Sequence, residues 1–143
     1  MPNYSKFSID YDPRWSDWDG PIAVPVTELN RVEIIGADEK VILAHTITIE
    51  YDYPLSVKVQ VKHHKKGGFT RKDIAKAIHK DYHDIYRKED KAVGKPTGHI
   101  PGMLNRDFSD GTYGIWGHDI GDLVVECVNY SVKKRLVRLD IGS

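Results

Sequence analysis

Cysteine is almost absent from this chain: of 143 residues only Cys127 carries a thiol. That excludes an intramolecular disulfide and any cysteine-rich zinc module, and it suits a reducing compartment. The apolar neighbours of Cys127 suggest a buried, inert thiol. Long apolar runs are lacking as well. The longest stretch without a charged side chain, Pro96 to Asn105, has ten residues and two prolines, well short of the roughly 18 apolar residues of a membrane helix. No membrane span is expected. The opening Met1-Pro2-Asn3-Tyr4-Ser5-Lys6 has neither a basic start with an apolar stretch behind it nor a small-residue cleavage site, so an intracellular location, cytoplasm or nucleus, is the expectation. An excess of one charge is missing too. Lys plus Arg and Asp plus Glu number 21 each, so a polyanionic partner would have to be met by a local patch.

What is present is enough for a core: 40% of residues are hydrophobic and 10% aromatic, in a chain of single-domain length. The charge is spread unevenly. Residues 1 to 40 hold 4 basic and 8 acidic side chains, and residues 41 to 91 hold 11 and 7. The first segment, residues 1–45, therefore reads as an acidic arm packed on a core domain of residues 46–143. Within it, Tyr11 to Pro21 carries turn residues and both Trp15 and Trp18 without a helical or strand period, so the arm is expected to be irregular. The two tryptophans either cap the core or dock on a second subunit.

Periodicity begins at Thr46. Ile47, Ile49 and Tyr51 alternate with polar residues, and after Tyr53-Pro54 so do Val57, Val59 and Val61, which predicts an antiparallel hairpin. Gly67-Gly68 ends the second strand. Thr70 and Asp73 then form a near capping box, and Ile74, Ile78, Tyr82 and Ile85 recur on one stripe, predicting a helix from about residue 70 to 91. A glycine-rich region without a period follows. Leu123 to Tyr130 and Arg135 to Ile141 read as a second hairpin. The fold class expected is α+β, a single antiparallel sheet of two hairpins with one long helix on one face.

Three constellations could carry chemistry. Tyr113 to Asp122 is the densest: Trp116, His118, Asp119 and Asp122 sit among glycines that allow close backbone approach, and they are the first binding candidates. A structural reading competes, in which Trp116 plugs the core and His118 or Asp119 ties the loop to backbone. A hydrolase or metal enzyme centred on His118, Asp119 and Asp122 would need a nucleophile or metal that the spacing does not supply. His79 and His83 stand four apart on the helix, but Lys80 occupies the place where a zinc peptidase carries its glutamate, and both histidines are expected on the surface. No metal and no cofactor are expected.

The third constellation is the basic loop Lys62 to Lys72. Lys62, Lys65, Lys66, Gly67, Gly68, Arg71 and Lys72 lead into a helix start whose free N–H groups attract anions. Nucleic acid or another anion is the alternative partner, with Lys133, Lys134, Arg135 and Arg138 extending the patch if the sheet brings the hairpins together.

The stretch from Thr46 to Ser143, especially Gly67 to Ile74 and Tyr113 to Asp119, resembles a small family shared by giant DNA viruses and plants. The resemblance brings no assigned activity or catalytic residue. It implies a virion component or a host-directed binding protein. The reading that leads is a non-enzymatic domain that binds a protein partner or itself.

Overall fold

The alternation in Thr46–Tyr51 places Ile47, Ile49 and Tyr51 on one side of a strand, and in the computed structural model all three are buried. The structure describes residues 4–13, 20–93 and 108–143. In chain order its strands are β1 (Tyr4–Phe7), β2 (Asp10–Tyr11), β3 (Ile22–Pro25), β4 (Lys40–Ile42), β5 (Thr46–Tyr51), β6 (Val59–His64), β7 (Phe69–Thr70), β8 (Val124–Ser131) and β9 (Leu136–Gly142). The one long helix, α1, spans Arg71–Val93 between β7 and β8. Mixed α+β architecture is thus observed, with a small second sheet of β4 and β7 beside the main one.

The main sheet runs β2-β3-β8-β9-β5-β6, with β1 also pairing with β8. Both expected hairpins form, β5 against β6 and β8 against β9. Their junction differs from expectation: β5 and β9 are parallel, with Thr48 opposite Leu136, so the sheet is not purely antiparallel. Alternation specifies which face of a strand is buried, but it carries no information on the direction of a neighbour that arrives from another hairpin.

The first segment also departs from the irregular arm expected of it. β1 pairs with the far half of β8 and β3 with its near half, and β2 pairs with β3. Ile9, Val24, Val26, Leu29 and Ile42 from this segment are buried in the common core. The physical reason is β8 itself, whose open edge needs hydrogen-bond partners once its apolar side chains are buried. Trp15 and Trp18 lie outside the described residues.

Helix α1 buries Ile74, Ile78, Tyr82 and Ile85 as its stripe predicts, with Ala75 and Tyr86 beside them. Each such isoleucine contributes about 1.5–3 kcal/mol by leaving water. The helix meets the sheet through side chains: Tyr82 packs edge-on against Tyr51, ring centroids 4.9 Å apart. Among the described residues no helix is long and apolar enough to cross a membrane.

Candidate functional site

The last turns of α1 carry a carboxylate in the core. Glu89 is fully buried, four residues beyond Ile85 on the apolar stripe. Its oxygens accept hydrogen bonds from Ser109 Oγ at 2.7 Å, Gly111 N at 2.9 Å and Tyr113 N at 2.7 Å, with the amides of Gly114 and Ile115 at 3.3 and 3.4 Å. A buried carboxylate costs several kcal/mol unless donors surround it. Burial pushes the Glu89 carboxyl up, but Ser109 and the loop amides outweigh it and hold the group below its ordinary value.

Two further side chains on the same side of α1 act on neighbouring backbone. The Tyr86 hydroxyl donates to His118 O at 2.9 Å and the Tyr82 hydroxyl to Tyr53 O at 2.8 Å. The segments around residues 54 and 115 are also joined directly. Trp116 N donates to Pro54 O, Ser56 N reaches the carbonyls of Tyr113 and Gly114, and Leu55 bridges Ile115. Gly114 sits at φ +69°, and a Cβ there would lie 2.7 Å from Ser56 Oγ, so only glycine fits where the two segments cross.

This scaffold turns Ile115 inward, fully buried, and Trp116 outward at 41% exposure. The expectation that Trp116 plugs the core is therefore corrected: successive residues of an extended segment point to opposite sides, and the Leu55–Ile115 bridge assigns the inner side to Ile115. Tyr53 packs edge-on to Trp116 with centroids 5.5 Å apart. Phe108, whose ring comes within 3.9 Å of where a Cβ on Gly114 would lie, and Val57, next to Ser56, are exposed, 58% and 49%. Sequence reasoning missed Tyr53 and Phe108 and read Val57 into the alternating strand, which starts only at Val59, because nothing local says that the turn after β5 lies beside residues 108–116.

His118, Asp119 and Asp122 border this surface. Asp119 accepts the amide of Ile120 and Asp122 accepts that of Asp119, a reciprocal cap on a single 3-10 turn at Ile120–Asp122. His118 Nε2 lies 3.2 Å from Ser143 Oγ, which meets the Tyr53 hydroxyl at 2.8 Å. His118 Nδ1 is buried without a hydrogen bond among the described residues, and Asp122 Oδ2 stands 3.7 Å away. That gap is longer than a hydrogen bond, so the contact between the two is one of charge and only when the ring is protonated. Among the described residues no group of three or more His, Cys, Asp or Glu could hold a metal ion.

The basic loop lies at the other end of α1, roughly 22 Å from Tyr86 at about 1.5 Å of rise per residue. Its helix start does not offer the free N–H groups expected of it. Arg71 N donates to Glu39 O, Lys72 N to Ala37 O, and Asp73 N to Thr70 Oγ1. Residues 37–39 of the first segment fill the place an anion would take. Arg71 turns inward, bonding Ser8 O and Gly36 O at 2.9 Å each and Glu39 at 3.1 Å. Gly68 is buried at φ +92°, where a Cβ would come within 2.5 Å of Ile42 O. The Gly67 carbonyl takes the Lys40 ammonium, and Lys65 pairs with Asp73 at 2.6 Å. Lys66 and Lys72 remain exposed.

The sheet does bring the last hairpin near Lys62. Thr48 pairs with both Lys62 and Leu136, and its amide donates to Arg135 O. The resulting face is mixed rather than basic. A concavity of about 550 Å³ over it joins Lys6, Lys134 and Arg138 with Asp52 and Asp140, and Arg138 is paired with buried Glu50 at 3.2 Å. His79 and His83, expected at the surface, are half-buried and stacked with centroids 4.0 Å apart. Cys127 is likewise half-buried rather than buried, and burial pushes its thiol up.

Compared with protein-family models, with curated proteins and with solved structures, the chain matches none.

Proposed function

We propose that this protein is a non-enzymatic interaction domain whose contact surface is formed by Tyr53, Trp116, Phe108 and Val57, with His118 and Ser143 on its rim. One observation carries the reading: buried Glu89 accepts hydrogen bonds from Ser109, Gly111 and Tyr113 of the loop, while Trp116 at its end is left exposed. Rigid aromatic side chains with polar groups at their border are the usual anchors of protein contacts, because they add area at little entropic cost. The occupant is a protein, either a partner or a second copy of this chain. The resemblance to the family of giant viruses and plants supports a virion or host-directed setting, and the lone thiol supports an intracellular one.

The test compares the unmodified protein with Trp116→Ala and Tyr53→Ala in affinity capture, and follows self-association by light scattering. Loss of the captured protein, or of the dimer, in both variants at nearly unchanged melting temperature supports the reading. Equal capture and equal mass in all three proteins would overturn it.

A further inference from the structure

Between β6 and α1 lies an open groove of about 230 Å³, whose polar lining is His63, His64, Lys65, Asp73, Lys76 and Lys80. Lys76 and Lys80 are one helical turn apart, about 6 Å by the rise of an α-helix, and both are exposed. Lys65 enters from the loop after β6, its ammonium steadied by Asp73. Lys80 also touches Asp84, which does not line the groove, and Lys76 pairs with no carboxylate among the described residues. Lys65 and Lys80 thus each meet one carboxylate, while Lys76 meets none among the described residues.

His63 gives this groove a focus. It follows Val59 and Val61 on the side of β6 that faces α1, and its Nε2 lies 2.6 Å from Asp81 Oδ2. The same oxygen accepts the Tyr51 hydroxyl at 2.5 Å. Asp81 is 2% exposed and Tyr51 1%. A core carboxylate that accepts from Nε2–H fixes the ring and leaves Nδ1 as its other nitrogen, a donor to an anion when the ring is an imidazolium. Nδ1 has no hydrogen bond among the described residues, and His63 itself lines the groove.

We propose that this groove binds a phosphate ester, with Lys65, Lys76 and Lys80 around its non-bridging oxygens and the His63 imidazolium, held at Nε2 by Asp81, donating its Nδ1–H to one of them. The donors favour phosphate over a carboxylate. Four groups approach from a helix, a strand and a loop, and a tetrahedral phosphate offers three oxygens in different directions where a carboxylate offers two in one plane. The site is independent of the aromatic surface near the far end of α1.

The experiment follows the His63 ring by NMR at low ionic strength while inorganic phosphate, a nucleoside monophosphate or a single-stranded oligonucleotide is added. A saturable shift of the His63 resonances is expected, with affinity at least tenfold weaker in the Lys76→Glu, Lys80→Glu double variant. Both substitutions are on the surface and leave the buried Tyr51–Asp81–His63 contacts in place. A shift with the mononucleotide identifies a small phosphate ester. A shift with the oligonucleotide alone, fading steeply with salt, identifies a nucleic-acid backbone, and either result supports the proposal. No shift with any of the three probes, or an equal shift in the double variant, would overturn it.

Discussion

The Tyr86 hydroxyl donates to the carbonyl oxygen of His118 across 32 residues of sequence, and this bond adds to those of Glu89 in tying the loop around Trp116 to the helix. Tyr86→Phe removes the donor and leaves the ring in place. The expected cost is about 1 kcal/mol in chemical denaturation, the usual net value of one hydrogen bond. Hydrogen exchange should accelerate at residues 116–119 and remain slow in α1.

Glu89→Gln is the more severe change. It keeps the shape but removes the charge that the loop amides surround, and the expected loss is about 1.5–3 kcal/mol, as for hydrogen bonds to a charged group. Retention of full stability in urea unfolding would show that the carboxylate does not organise the loop.

The same group predicts a pH dependence. Glu89 is held below its ordinary value of 4.5, so its contribution is complete above that value and is lost as pH falls through the folded one. Asp73 and Asp84 are also lowered. For Asp73, hydrogen bonds from Lys65 and Thr70 overcome an opposing effect of burial; for Asp84, the bond from Lys80 leads. Acid unfolding followed by circular dichroism should therefore begin below about pH 4.5 and be shallower in Glu89→Gln.

The residues that carry these predictions differ in how visible they were beforehand. Ile47, Ile49, Tyr51 and the stripe from Ile74 to Ile85 show themselves because burial repeats along one element, and period is all that a single sequence displays. Glu89 and His63 obey the same periods, seven residues after Tyr82 and two after Val61. Their polarity hid them, although a polar residue in phase with an apolar stripe is itself a signal of a buried network. β1, β2 and β3 were hidden for another reason, since two to four residues cannot establish a period. The neighbours of Trp116 are set by pairing between distant segments, which leaves no local trace.

Gly68→Ala tests the tight passage between β4 and the start of α1. An alanine there combines a left-handed backbone with a Cβ 2.5 Å from Ile42 O. The expected destabilisation is about 1–3 kcal/mol, the usual cost of a residue forced into such a conformation. A melting temperature equal to that of the unmodified protein would contradict the geometry.

The pairing of Tyr4–Phe7 with Val128–Ser131 also imposes a timetable on the ribosome. β1 and β3 leave the exit tunnel before β8, the strand that completes their hydrogen bonds and lies about 100 residues or more further along the chain. At about 5–20 residues per second that interval is roughly 5–20 s for 100 residues. During it β2 and β3 can already pair with each other, and β5, β6 and α1 are available to one another. The nascent chain must therefore carry β1, and the edge of β3 away from β2, unpaired until β8 emerges.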